Sequence, residues 1–273
     1  MTKLIYTNRI QTFMAEENSK YFELYITSHG IVQVSSEVKL KILHELVVKD
    51  LSLSEIAKII SKAQSTISVH LDSMVSDKLI SVHDDLQDNR KKYYSLIALP
   101  FGKSVNSSDE SRELAFQMLT KVAQDPKKMV SSLPWFIFLG FDGLGLNVDP
   151  MANILGFIHG AGMSGSLTGK TIEDTIGNIR NYLLEMDMGE VSIYSLKPLT
   201  IIIKDNQPLT EGSAKCLIQY TGGFFCRVLE DATGKPYEIV SSEVFGTDYN
   251  YIRFVLEPRQ HKIPLLEQGL ETE

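Results

Sequence analysis

The stretch SSEVKLKILHELVVKDLSLSEIAKIISKAQSTISVHLDSMVSDKLISV, residues 35–82, decides how this chain is organised. Ser35-Ser36-Glu37 predicts a helix start, because small hydroxyl side chains there accept orphan backbone N–H groups. Leu40, Leu43, Leu46 and Val47 then recur at helical spacing and give a first helix one apolar face. Asp50-Leu51-Ser52 reads as a break. Ser54-Glu55 opens a short second helix whose Ile56, Ile59 and Ile60 form a buried stripe. After Ser61-Lys62, a third helix is expected from about Gln64 to Lys78, with Ile67, Leu71, Met74 and Val75 turned inward.

Two short helices joined by a tight turn, the second polar on one side, satisfy the requirements of a helix-turn-helix. Leu79-Ile80-Ser81-Val82 reads as a strand, His83 to Asn89 as a polar turn, and Lys91 to Leu96 as the returning strand. That hairpin is the wing. Gln64, Ser65, Thr66, Ser68 and His70 on the third helix then become candidates for contact with base edges or phosphates of double-stranded DNA. For His70, packing inside the module is an equal alternative. Arg90, Lys91 and Lys92 are three adjacent cations, whose mutual repulsion phosphate pairing would relieve. A solvated loop is the plainer account of them.

The net charge of −7 sits outside this module. Between Ser35 and Pro100 there are nine Lys or Arg and nine Asp or Glu, so the segment is neutral and the acidity belongs to the rest. Such a chain is expected to bind DNA with modest non-specific affinity. No run approaches the roughly eighteen apolar residues of a membrane span, and no secretory leader is legible before Ile10. Two cysteines, Cys216 and Cys226, cannot build a disulfide framework. The expected location is the cytoplasm, with no membrane partner.

Working outward, residues 1–34 read as an extension with a helix around Asn8 to Tyr25 and a β-prone stretch, Gly30 to Val34. The winged module takes 35–100 and a linker with one helix, from Arg112 to Gln124, takes 101–130. Phe101 to Ser111 has no apolar period, and Asp125-Pro126-Lys127-Lys128 is a second break. From Pro134 the texture changes to the dense run Trp135 to Leu139. Helical patterns such as Ile172 to Met186 alternate with strand-like runs at Val191 to Leu196, Leu199 to Lys204 and Tyr249 to Leu256. The fold class expected is α+β: an N-terminal winged helix-turn-helix, a mixed α+β domain over 131–258, and a polar tail over 259–273.

Ser65-Thr66-Ile67-Ser68-Val69-His70-Leu71, then Lys78-Leu79-Ile80 and the basic wing, resemble the ArsR-type winged-helix regulators. The resemblance implies a third helix in the major groove, the wing over adjacent phosphates, and a homodimer on paired half-sites. The C-terminal part resembles the 4-vinyl-reductase-type ligand-binding domain. The residues carrying that likeness are Gly156 to Gly162, Gly222-Gly223-Phe224-Phe225, Phe245-Gly246 and Arg253-Phe254-Val255. It implies a sensor of a small apolar or aromatic effector. Many members hold zinc through Glu and Cys near the closing strand, but Ser241 to Leu256 has no cysteine, so no zinc is expected.

Phe136, Phe138, Phe141, Phe157, His159, Phe224 and Phe225 are the candidate ligand-binding residues, with Trp135 beside them. Core packing competes as an explanation of each. Gly160-Ala161-Gly162-Met163-Ser164-Gly165 matches the dinucleotide fingerprint but follows a helix-like stretch, so close packing explains it better. Gly165 to Thr171 falls one residue short of a phosphate loop. The cysteines lack convergent partners for a metal, and Leu51 to Ile60 has none of the cysteines that metal-sensing regulators place there. No nucleophile, base and orienter stand together, so no enzyme activity and no cofactor are expected. The alternatives are an enzyme or accessory protein acting on an apolar or tetrapyrrole-like substrate, and a constitutive DNA-binding protein whose C-terminal domain only dimerises.

Overall fold

The computed structural model describes residues 21–84, 91–124, 129–205 and 209–259. Strands β1 (Glu23–Thr27) and β2 (Gly30–Val34) form a hairpin. The expected helix from Asn8 lies largely outside the described residues, and where its end is described the chain is strand. The reason is the period: Glu23 and Tyr25 both turn inward, two apart. The Glu23 carboxylate accepts hydrogen bonds from the Tyr25 hydroxyl at 2.6 Å and the Tyr21 hydroxyl at 2.7 Å, and meets His44 Nε2 at 2.8 Å. Burial pushes its pKa up, but the bonds from Tyr25 and Tyr21 and the His44 ring outweigh this and hold it below the usual carboxylate value.

Helix α1 (Glu37–Val48) follows, with Ser36 at its N-cap. Contrary to expectation, no side chain caps it, and Val47 is exposed while Ile42 takes the inward place. The break at Asp50-Leu51-Ser52 contains a two-residue strand, β3 (Leu51–Ser52). Helix α2 (Leu53–Ile60) buries Ile56 and Ala57, whereas Ile59 is exposed. Helix α3 (Gln64–Ser76) buries Ile67, Leu71 and Met74, as the spacing predicts. Strands β4 (Ile80–Asp84) and β5 (Lys92–Leu96) pair antiparallel, and β3 adds to β5 to give the sheet order β3-β5-β4. One apolar core, including Tyr25, Leu43, Ile56, Ile67, Leu71 and Leu79, unites these elements.

Phe101 to Ser111 is not irregular throughout. Strand β6 (Leu99–Ser104) pairs with β1 and with the two-residue β7 (Leu146–Asn147), making a sheet of order β2-β1-β6-β7. A strand containing Pro100 and Gly102 shows no alternation of its own; its partners hold it in place. Helix α4 (Asp109–Gln124) starts three residues before the predicted Arg112 and packs on α5 (Met129–Gly143). The expected boundary at 131 therefore falls inside a helix.

The rest is built round one long helix, α8 (Glu211–Thr233), buried along most of its length. Against it lie α6 (Asp149–Leu167) and α7 (Ile172–Glu185). It also meets an antiparallel sheet of order β10-β11-β9-β8, made of β8 (Glu190–Leu196), β9 (Leu199–Lys204), β10 (Tyr237–Phe245) and β11 (Tyr251–Pro258). A Cβ at Gly156 would stand 1.9 Å from the Tyr220 carbonyl oxygen, and one at Gly223 would stand 2.3 Å from that of Asn153. Glycine is what lets α6 and α8 touch backbone to backbone. The dinucleotide-like glycines all lie within α6 and not after a strand. Of the three, Gly160 packs against Phe224 of α8, whereas a Cβ at Gly162 or Gly165 would meet nothing within 4 Å.

Candidate nucleic-acid interface

The reading head depends on how α2 ends and α3 begins. Ser52 N–H donates to Glu55 Oε2 at 2.9 Å, and Glu55 N–H reaches Ser52 Oγ at 3.5 Å, a reciprocal cap that fixes the first turn of α2. Ser61 ends the helix in the left-handed conformation, φ 57°, and its N–H donates back to Lys58 O at 3.3 Å. Shortly afterwards α3 starts, with Ala63 at its N-cap and no side-chain group there to cap it. The first N–H groups of α3 and the positive end of its dipole are consequently offered outward, the arrangement that receives phosphate.

Gln64, Ser65 and Thr66 are exposed on this first turn, whereas Ser68 and His70 are both half-buried. Lys39 of α1 donates to Ser73 Oγ at 2.8 Å and pairs with Asp77 at 3.3 Å, pinning the far half of α3 to the module. In the wing, Lys91 and Lys92 are exposed; Arg90 lies outside the described residues. Lys92 stands opposite Asp84, and one pair further in His83 stacks on Tyr93 with ring centroids 6.1 Å apart. His83 Nε2 lies 3.6 Å from Asp50 at the start of β3. The wing thus meets the turn before α2, and Ile80 and Leu96 of the wing share one core with Ile67 and Leu71 of α3.

Val69 and Asp72 also face outward on α3, and sequence reasoning passed over both; Lys58 and Lys62 at the turn were missed too. The signal was available. Ile67, Leu71 and Met74 define the inward direction, and at about 100° per residue the opposite ridge runs through Ser65, Val69 and Asp72.

The aromatic candidates lie in the C-terminal core. Phe138, Phe224 and Phe225 are buried, Phe136, Phe141 and Phe157 half-buried, and Phe225 meets Phe254 edge-on at 5.8 Å. His159 sits between two hydroxyls, with Nδ1 2.8 Å from Tyr220 and Nε2 2.7 Å from Tyr182, and burial lowers its pKa. Phe224 stacks on Tyr182 at 5.7 Å, and Phe157 lies under the Arg227 guanidinium at 5.2 Å. A groove of about 160 Å³ runs between the start of α8 and β10, lined in part by Ile218, Val244 and Tyr249. It touches none of the expected aromatic residues. Asp142, buried at the α8 N-terminus, accepts from Ser111 and from Thr210 at 2.9 Å and so joins α4, α5 and α8. Cys216 and Cys226 are buried on α8, and burial pushes each thiol up to about 12. Among the described residues no three His, Cys, Asp or Glu side chains gather as metal ligands.

Two helices joined by a three-residue turn, with a β-hairpin behind the second, constitute a winged helix-turn-helix, a class of DNA-binding module. Residues 36–82 match the model of a family described as "Bacterial regulatory protein, arsR family", so this segment is an ArsR-type helix-turn-helix. Among solved structures the chain is similar to the adhesin competence repressor AdcR from Streptococcus pyogenes, at 19% identity and a TM-score of 0.23. The match covers 35% of this chain and 60% of that one. The chain thus spans less than two thirds of the repressor's length. No curated protein matches the sequence. No described helix is long and apolar enough to cross a membrane.

Proposed function

We propose that the protein is a transcription regulator that binds double-stranded DNA as a homodimer. The observation that carries this reading is the exposed, uncapped start of α3 in a segment that matches a regulator family, followed by a wing with two exposed lysines. The N-terminal turn of α3 enters the major groove through Gln64, Ser65 and Thr66, with Ser68 and His70 flanking, while Arg90, Lys91 and Lys92 neutralise phosphates beside it. The region from about 131 to 258 senses a small apolar or aromatic molecule. Its binding shifts the population between placements of the two heads, so half-site spacing fits or fails to fit.

A second reading is favoured by the packing. The expected aromatic residues are core, and the groove beside β10 is about 160 Å³ against the ~300–1,000 Å³ usual for ligand sites. On that reading the C-terminal body only dimerises the heads and DNA binding is constitutive.

Binding of the purified protein to fragments of its own promoter region, measured by anisotropy across a salt series, tests the proposal. Saturable, sequence-selective binding is expected. The Lys91→Ala/Lys92→Ala variant should flatten the log–log salt slope by roughly one for each phosphate left without its lysine. Unselective binding with an unchanged slope would remove the regulator reading. An apolar ligand that binds saturably yet leaves DNA affinity unchanged would leave the constitutive one.

A further inference from the structure

Val69 is 68% exposed in the middle of α3, although that helix carries enough inward residues to anchor itself. Ile67, Leu71 and Met74, each fully buried, set the inward direction. Two residues on from Ile67, at about 100° each, Val69 points almost directly away from that core. Its neighbours on the ridge are Ser65, one turn before, and Asp72 and Ser76, one and two turns after. This ridge bears no cation. Phosphate pairing is therefore not what it offers, and the Asp72 carboxylate would be repelled by a backbone phosphate. A β-branched residue in mid-helix is also a poor local choice when nothing in the fold packs on it. Local rules broken at the centre of an otherwise consistent element mark a functional surface.

The base edges of the major groove present one apolar group, the C5-methyl of thymine. We propose that Val69 reads that methyl, so that each half-site carries a thymine against the middle of α3. This rests on the reading of the protein as a double-stranded DNA binder with α3 in the major groove. Ser65 lies toward the N-terminal side of the contact, where hydroxyls tolerate several bases; Val69 supplies the discrimination, because an isopropyl group in contact with a methyl displaces water from both.

The full-length protein would first select half-sites from a random-sequence duplex library. Each thymine of the enriched site is then replaced singly by deoxyuridine, which removes the methyl and leaves every hydrogen-bonding group. One replacement is expected to weaken the wild-type protein about four-fold, the scale of one buried methyl group. The same replacement should weaken Val69→Ala by less than about two-fold, since one methyl at position 69 covers less of the thymine methyl than an isopropyl group does. Because Ala is the better helix former and Val69 is exposed, the variant keeps the fold, which its circular dichroism verifies. An enriched site in which no thymine responds to deoxyuridine overturns the inference and leaves the DNA-binding reading standing. An equal loss in the wild type and Val69→Ala does the same, assigning the methyl to another residue. No enriched site at any salt overturns the DNA-binding reading itself, and this inference with it.

Discussion

His159 uses both ring nitrogens on tyrosine hydroxyls, and counting protons shows what charge it holds. A neutral imidazole has one N–H and one acceptor, so one tyrosine donates to it and the other accepts from it. Placing the donor on the more buried Tyr220 leaves the spare hydroxyl proton on Tyr182, which has more access to water. An imidazolium there would need both hydroxyls as acceptors beside the Phe224 ring, 4.8 Å away. Burial accordingly holds the folded-state pKa below its unfolded value. The unfolded chain then binds the extra proton first as pH drops through about 6.5, so stability falls from there down to the lower folded pKa and is flat above. His159→Gln should cost about 1–2 kcal/mol at pH 7.5, through the hydrogen bonds it removes. That gap should narrow as urea titrations are repeated toward pH 5. A gap that stays constant with pH would mean that the ring keeps its water. This residue was visible in the sequence as a histidine among aromatics. Its two tyrosine partners, 23 and 61 residues away, were not.

Between elements, the closest approach is where α6 crosses α8. Gly156→Ala puts a methyl 1.9 Å from a carbonyl of the facing helix, and backbone cannot swing aside as a side chain can. The helices must part, at a cost of roughly 3 kcal/mol, the upper range for overpacking. Gly162→Ala, on the same helix but with nothing within 4 Å of the new methyl, should instead gain up to about 1 kcal/mol from helix propensity. Thermal melts of the two variants therefore move in opposite directions. Two losses of similar size would point to a general intolerance of side chains on α6. The contrast also explains what the sequence could convey. The run of small residues signalled close packing, but which glycine faces a neighbour depends on where α8 lies. The winged module was legible because its helices are local and their caps and periods lie within 48 residues. Strand β6 was not, since Leu24 and Gly102 pair across 78 positions and neither segment alternates strongly.

At the scale of the molecule, the question is how a chain of charge −7 would meet a second copy before both heads can reach one duplex. Two such bodies repel except where an uncharged face lets them approach. Helix α5 has no charged residue from Met129 to Phe141, and it exposes Leu133, with Leu144 just beyond its end. Leu119 is exposed on α4, which packs against α5. A helix so apolar with an outward Leu supports the α4–α5 pair as the dimer face in the proposed regulator. Replacing Leu119 and Leu133 together by Glu should shift sedimentation from dimer to monomer at micromolar concentration, without lowering the melting temperature of the winged module. Salt supplies an independent sign. Added salt screens the repulsion between acidic copies and should strengthen self-association, whereas it weakens binding to DNA. If both equilibria weakened together with salt, the copies would be held by ion pairs, and an apolar α4–α5 face would not be the link between the heads.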